Sequence, residues 1–310
     1  LYAPVITNNN NTITITEAEG GASCQIYYTV DGTTPTPENG TLYTQPFTVG
    51  SNVTVKAIAH YNGNRADLIT DSDVAWLETI EDSEYFRITN TSETSGVFTI
   101  RKVENPTTAD LKYSLDGVNW TTADLSTDFS LSVDAGETVY MKGTNADGFN
   151  GVGSYYKMAM DVEHSISGNI MSIVDEENYA TITSIPFSCF SHLFSGDTRL
   201  VDAGDVIFGN VTSIDRYGCY YMYSGCTSLT TPSDLSNVTS IGEYGCNCIY
   251  SDCTSLTKAI TPNVSTWDVT RFISWLYNVA PTGVVHKPTN LTIPTDNVSG
   301  IPTGWITEDY

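Results

Sequence analysis

The chain has 310 residues, enough for about two or three domains with a hydrophobic core each. Only 16% of the residues are charged, but 36 acidic residues against 13 Lys and Arg give a net charge of −23. The acidic excess runs through the whole chain, with −6 over residues 1–80, −7 over 81–161 and −10 over 162–310. Because no segment is basic, binding to nucleic-acid phosphates is not expected. No apolar run approaches the roughly 20 residues that cross a bilayer, so membrane insertion is not expected either.

Residues 1–80 alternate apolar and polar side chains in short runs that end at Gly, Asn or Pro, which is typical of antiparallel strands. The predicted strands cover residues 12–16, 25–30, 47–49, 53–60 and 73–77. Asp31 and Gly32 favour a tight turn, because glycine accepts a positive φ. We therefore predict a small β-sandwich over residues 1–80.

Residues 81–161 repeat this plan, and their central motif has a counterpart in the first domain. The sequence Tyr-Ser-Leu-Asp-Gly at 113–117 follows Tyr-Thr-Val-Asp-Gly at 28–32 by 85 residues. A turn at 134–136 precedes an alternating run at 138–143, as in the strands of the first domain. A second small sandwich is therefore predicted over residues 81–161.

The most regular feature of the sequence is a repeat in its second half. Residues 213–229 recur at 240–256, 27 positions later, with 11 of the 17 residues identical and most large apolar positions kept. Looser copies occur at 193–200 and 276–279. A period in the twenties is typical of a leucine-rich solenoid, in which coils stack because one coil cannot bury its apolar side alone. Residues 162–310 are predicted to form about three and a half such coils.

Both ends of a solenoid need a cap, because the terminal coils otherwise expose their apolar faces to water. The predicted caps are residues 169–174 and 180–185 at the start and 284–285, 291–294 and 301–305 at the end. The last of these segments brings Trp305 over the final coil.

The seven cysteines fall mainly inside the repeat. Cys219 and Cys246 occupy equivalent positions in successive copies, and so do Cys226 and Cys253. Thiols are small and nearly apolar, so stacked coils can bury them as a ladder. Buried free thiols are the favoured interpretation. Disulfides and a metal site are the alternatives, weakened by the odd number of cysteines and the lack of zinc-ligand spacing.

Residues that could carry out catalysis or hold a cofactor or metal are not evident as a group. No ligand pair is formed by the widely spaced histidines, which are His60, His164, His192 and His286. The chain has no nucleophile elbow, phosphate-binding loop or dinucleotide fingerprint. Asp67, Asp71 and Asp73 offer oxygen ligands for calcium, but without the glycine and bidentate glutamate of a known loop. A facing pair of glycosidase carboxylates is not excluded among so many acids. We predict no catalytic residue, cofactor or metal.

One aromatic group near the end of the solenoid is a candidate ligand-binding surface. Trp267, Arg271, Trp275 and Tyr277 lie close together in the sequence. Exposed Trp and Tyr rings serve sugar-binding surfaces as flat apolar platforms with a polar edge. The alternative is that these rings pack into the core or into the cap.

Several motifs of the first domain match a known module. The segment at 27–35, the pairs Leu-Tyr at 42–43 and Pro-Phe at 46–47, and the run at 53–59 are similar to a small immunoglobulin-like domain. That domain is found at the C-terminal end of chitobiases and hexosaminidases. It is not the catalytic part of those enzymes, so the resemblance implies an accessory role.

The solenoid region resembles BspA-type leucine-rich repeat proteins, in particular those of bacteriophages of gut bacteria. The resemblance is carried by residues 223–232, 168–173 and 300–305. The family's usual repeat is a few residues shorter, and its Ala-Pro-Glu-Leu-Pro stretch reads Thr-Pro-Ser-Asp-Leu at 231–235 here. This departure alters the outer arc of each coil, where surface specificity would lie.

The resemblance implies a virion structural protein, either a fibre or a capsid-decorating appendage, at the virion surface or otherwise extracellular. Its expected partners are other virion proteins and a host surface glycan or receptor. The resemblance also implies a homo-oligomer. Because the sequence has no heptad run that would drive a coiled coil, we expect the oligomer to form through the N-terminal side or through domain faces. The alternatives are a bacterial cell-surface adhesin and an accessory carbohydrate-binding protein.

Overall fold

The computed structural model describes residues 1–9, 12–16, 24–49, 53–61, 71–78, 85–151 and 153–310. The chain divides into two compact units, Leu1–Glu84 and Tyr85–Tyr310. Asp67 and the acidic junction at 80–84 lie outside the described residues. The division into three domains stays a prediction.

The first unit consists of two antiparallel sheets, as the alternating pattern predicts. Its strands are β1 (Val5–Asn9), β2 (Thr12–Thr16), β3 (Gln25–Thr29), β4 (Thr41–Leu42), β5 (Phe47–Thr48), β6 (Thr54–His60) and β7 (Ala75–Glu78). One sheet has the order β1-β2-β5 and the other β4-β3-β6-β7. Ile13 and Ile15 of β2 pack with Ile26 and Val55 in one core. Gly32 has a φ of 76°, which confirms the predicted turn.

The second unit begins with two sheets. Its strands are β8 (Phe86–Asn90), β9 (Gly96–Val103), β10 (Lys112–Ser114), β11 (Thr121–Thr122), β12 (Phe129–Val133), β13 (Thr138–Lys142), β14 (Tyr155–Met160), β15 (His164–Asn169), β16 (Ser184–Ile185) and β17 (Leu200–Ile207). One sheet has the order β11-β10-β13-β8-β15-β17 and the other β12-β9-β14. The immunoglobulin-like topology of both predicted sandwiches stays a prediction.

The predicted second sandwich and the solenoid share a sheet and a core. The strand β15 pairs antiparallel with β8 on one side and parallel with β17 on the other. One continuous cluster of buried side chains runs from Phe86 to Trp305. The predicted boundary at 161/162 therefore falls between two strands of one compact unit.

The C-terminal part is a β-solenoid-like stack, which confirms the inference from the repeat. The strands β16, β18 (Ser213–Ile214) and β19 (Ser240–Ile241) pair in parallel and in register, as Ser184↔Ser213↔Ser240 and Ile185↔Ile214↔Ile241. We name the successive coils coil 1 (184–196), coil 2 (213–225), coil 3 (240–252) and coil 4 (267–278). Leu229 and Leu256 are both fully buried.

Coils 1 to 3 each continue after their strand as a ribbon of consecutive turns, at 188–196, 217–225 and 244–252. Along 217–225 the odd-numbered N–H groups donate to carbonyls of the next coil, as from Cys219 to Gly245 at 2.8 Å. The even-numbered N–H groups donate to the carbonyl three positions back. This alternation satisfies the backbone donors of the ribbon although it contains no α-helix.

The alternation forces every fourth residue of a ribbon into the left-handed region. Positive φ values occur at 188, 192 and 196 in coil 1, at 217, 221 and 225 in coil 2, and at 244, 248 and 252 in coil 3. Only Gly196 and Gly225 among them are glycine. The left-handed conformation costs roughly 1–2 kcal/mol for other residues, which the hydrogen bonds between coils must offset.

The interior of the coils carries three columns of equivalent side chains, two of thiols and one of aromatic rings. Cys219 lies against Cys246 and Cys226 against Cys253, as the ladder predicts, and all four thiols are fully buried. The Cys226 and Cys253 thiols donate to carbonyl oxygens of the preceding coil at 3.2 and 3.1 Å. The third column consists of the parallel rings of Phe194, Tyr223 and Tyr250, whose centroids are 5.6 Å apart at each step.

Caps close both ends of the stack. At the start, Asn169 caps a 3-10 helix at Ile170–Ile173 with its side chain, and a second 3-10 helix spans Tyr179–Thr181. At the end, β20 (Lys258–Ile260), β21 (Gly283–Lys287) and β22 (Trp305–Asp309) form a parallel sheet. The Trp305 ring is buried, and its Nε1 donates to the Ala280 carbonyl at 2.7 Å.

A part of the starting cap that the sequence does not reveal comes from the sheet β12-β9-β14. The N–H of Met158 on β14 donates to the Leu193 carbonyl of coil 1 at 2.7 Å. The backbone N–H and the side chain of Asn150 donate to the carbonyls of Cys189 and Ser191. Together β14 and Asn150 stand where a preceding coil would be.

Candidate functional surface

The structure brings two of the candidate sugar-binding residues together, but inside the cap. Trp275 is 2% exposed, and its Nε1 donates to the Gly300 carbonyl at 2.8 Å. Trp267 is half-buried, stacks on Phe272 at 3.7 Å and donates to the Ser299 carbonyl. Both indoles thus anchor the C-terminal segment to coil 4, and the ring of Trp275 is not available as a platform.

The other two candidates lie elsewhere on coil 4. Arg271 pairs with Asp268 at 3.0 Å in a partly exposed ion pair. Tyr277 is 52% exposed and is the most accessible of the three candidate rings. A ligand-binding role for Trp267, Arg271 and Tyr277 stays a prediction.

A larger aromatic surface, which was not predicted from the sequence, lies on the turn ribbons of coils 1 to 3 and on the adjoining strand β14. The half-buried His192 ring stacks between Tyr155 at 4.4 Å and Tyr221 at 5.0 Å. A second stack pairs Tyr217 with Tyr244 at 5.2 Å. We name these five residues, together with Tyr220, the ring ladder.

Tyr220 joins the two stacks of the ring ladder. Its ring makes edge contacts with Tyr217 at 5.2 Å, with Tyr221 at 4.5 Å and with His192 at 5.5 Å. Partial burial raises the pKa of its phenol. The ladder is therefore one continuous surface.

The coil geometry explains why these rings meet. His192 and Tyr221 occupy equivalent left-handed positions in coils 1 and 2, as Tyr217 and Tyr244 do in coils 2 and 3. Their side chains therefore leave the ribbon in the same direction and stack at about the coil spacing. The repeated Tyr-Gly-Cys at 217–219 and 244–246 is the sequence signal that could have indicated this column.

Charged groups flank the ring ladder at both ends. Arg216 lies 4.9 Å over the Tyr217 ring and pairs with Glu243 at 3.2 Å, in a largely exposed contact. At the other end, Lys157 of β14 lies close to His192. Burial and then Lys157 lower the pKa of His192 to about 4, so this ring is neutral at pH 7.

The most deeply buried ionisable pair ties coil 1 to the six-stranded sheet. His164 Nε2 lies 2.9 Å from Asp197 Oδ2, at an angle that is not that of a hydrogen bond, and both side chains are almost fully buried. The Nδ1 atom of His164 lies 2.9 Å from the Val162 carbonyl. Both ring nitrogens face oxygen atoms and neither is accessible, so the pair acts in structure.

In the part of the chain that the structure describes, no three His, Cys, Asp or Glu side chains are placed to hold a metal ion. Asp71 lies 2.7 Å from the Nδ1 of His60. Within the same described ranges, no helix is long and apolar enough to cross a membrane.

Comparison with known proteins gives one family match. A model described as Fn3 associated matches residues 13–73, within the unit Leu1–Glu84. This domain is of the same general class as the immunoglobulin-type domain expected there. No curated protein sequence matches the chain.

Proposed function

We propose that this chain is a virion structural protein with BspA-like leucine-rich repeats, a phage fibre or capsid-decorating appendage that displays a binding surface for host glycans. In this proposal it performs no catalysis, lies at the virion surface or otherwise outside the cell, and contacts other virion proteins. The homo-oligomer expected through the N-terminal side is part of the same proposal.

The observation that carries the binding role is the ring ladder. Coil stacking holds tyrosine rings in register on the solenoid surface, with their side chains only partly buried. Such rings offer apolar contact area and a phenolic hydroxyl at little cost in conformational entropy. The parallel coils supply a rigid support for the rings.

The virion assignment is supported by the sequence motifs of the solenoid and by the order of the modules. An Fn3-associated domain followed by a stack of coils suits a passive spacer and binder. The abundance of acid over base is also compatible with an extracellular surface. These observations support an extracellular spacer and binder. The labelling experiment below distinguishes a virion from a cell surface.

Antibodies raised against the purified chain would label intact phage particles in electron micrographs if the proposal is correct. Labelling of the bacterial envelope in phage-free cultures would instead favour the adhesin. A glycan array with the purified chain tests binding, and Tyr277→Ala and Tyr217→Ala compare the predicted and the observed aromatic surfaces. Release of reducing sugar from a bound polysaccharide would overturn the non-catalytic part.

A further inference from the structure

Two neighbouring cations of the second unit lack an acidic partner. Several cations of this unit pair with acids, as Lys112 with Glu176 and Lys287 with Asp309 do. Among the described residues, Lys102, Arg199 and Lys258 stand singly without an acidic partner. In the described part of the chain, no carboxylate oxygen lies within 4 Å of the Arg101 or Lys157 side-chain nitrogens. In a chain with 36 acidic residues, an acid-free pair of cations marks a place where an anion could be held.

The strand register places both cations on one face. Lys157 of β14 lies opposite Arg101 of β9, and Tyr155 lies opposite Val103. The intervening residues, such as Tyr156, are buried in the core, so these odd-numbered side chains point outward. The cations and the Tyr155 ring thus belong to one outer surface.

This surface continues without a break onto the solenoid. The ribbon of coil 1 adjoins β14 through the hydrogen bond from Met158 to Leu193. The Nζ atom of Lys157 lies over Gly196 of coil 1, where an added Cβ would be 3.9 Å from it. His192 of the same ribbon stacks between Tyr155 and Tyr221.

The electrostatics of this place favour an anion. Partial burial and the neighbouring Arg101 both lower the pKa of Lys157, as expected for a cation with no compensating acid. An anion bound beside Lys157 would raise the pKa of this side chain again. The guanidinium of Arg101 is suited to a carboxylate, because its planar fork matches two carboxylate oxygens.

The surroundings distinguish between classes of anion. Phosphate sites commonly use free backbone N–H groups, but those of the coil 1 ribbon from 188 to 196 are bonded to other carbonyls. A polyanion of high charge density would be repelled by the net charge of −23. Tyr155 shares the outer face of β14 with Lys157, and its phenol suits a ligand rich in hydroxyl groups that carries a sparse carboxylate.

We propose that Arg101, Lys157 and the stack Tyr155–His192–Tyr221 form a binding site for a carboxylated saccharide of the uronic-acid class. Arg101 and Lys157 hold the carboxylate, while the tyrosines contact the sugar ring and its hydroxyls. The inference rests on the proposed glycan-binding function and names the class of glycan. The site lies where β14 adjoins coil 1. It shares no residue with the predicted surface around Trp267 and Trp275.

The test is a calorimetric titration of the full chain with a uronic-acid trisaccharide, its methyl-esterified neutral form, inorganic phosphate and a short poly-glutamate peptide. We expect the free uronate to bind at least about tenfold more tightly than the other three. Arg101→Met and Lys157→Met should each weaken uronate binding at least about tenfold. The matched control is Lys258→Met, which removes an exposed lysine from β20 and should leave the affinity unchanged.

Three outcomes would overturn this inference. They are no binding of the uronate, equal binding of the esterified sugar, phosphate or peptide, and uronate binding that survives both Arg101→Met and Lys157→Met. Circular dichroism of each variant shows whether it is folded. A variant that is not folded is replaced by the glutamine variant at the same position, Arg101→Gln or Lys157→Gln. If neutral glycans still bind the chain after one of these three outcomes, the proposed function stands and only this site is removed.

Discussion

Replacing Tyr223 tests the aromatic column inside the coils. Its ring is fully buried between Phe194 and Tyr250, and its hydroxyl lies 2.7 Å from the Ser233 Oγ. Truncation of a fully buried aromatic ring to alanine costs about 3–5 kcal/mol, the stacking contacts included. Tyr223→Ala should therefore lower the free energy of unfolding by this amount.

Tyr223→Phe separates the hydroxyl from the ring. It keeps both stacking contacts, and the Ser233 Oγ keeps its hydrogen bond to the Ala203 carbonyl at 3.2 Å. The loss should therefore be about 1 kcal/mol, the net worth of one buried hydrogen bond. The control Tyr244→Ala removes a half-buried ring from the outer surface and should cost less than about 1 kcal/mol.

Urea denaturation, followed by circular dichroism and analysed for the second unit, measures these differences. For a unit of this size the melting temperature should fall by about 6–20 °C for Tyr223→Ala and about 2–4 °C for Tyr223→Phe. If the alanine variant loses less than about 1 kcal/mol, or if the phenylalanine variant loses as much as the alanine variant, the column does not support the stack as described.

Three further predictions concern buried thiols and one buried ionisable pair. Burial raises the pKa of Cys189, Cys246 and Cys253 to about 12. The unfolded chain therefore ionises first as pH rises, so in reducing buffer the contribution of the thiols to stability should be unchanged up to about pH 8 and fall above about pH 9, by up to about 1.4 kcal/mol per unit for each thiol. Asp197→Ala leaves His164 buried without its partner and should cost about 3–5 kcal/mol in urea denaturation, whereas a loss below about 1 kcal/mol would show that the pair is not needed. A thiol reagent should count all seven cysteines of the unfolded chain with and without prior reduction, and a gain of two on reduction would reveal a disulfide.

The sequence by itself determined the coil stack, because the repeat sets the register directly. Residues 213–229 and 240–256 share 11 of 17 residues, so at most levels equal side chains meet, and the same positions, such as Ile214 and Ile241, are buried in both coils. The thiol ladder and the role of Trp305 in the final cap follow from the same logic. Alternation likewise determined β2, β6 and β13, since the side-chain period of a strand is a local property.

The tertiary structure decided how the coils begin and what their surface carries. The pairing of β15 with β17 and the contact of Met158 with Leu193 join segments that share no sequence period. The left-handed residues of the ribbons are mostly not glycine, so their conformation follows from hydrogen bonds between coils and has no local signal. Arg101, Lys157 and His192 become neighbours only through such pairings between distant segments. Trp275 stands out in the sequence, but its ring is buried in the final cap.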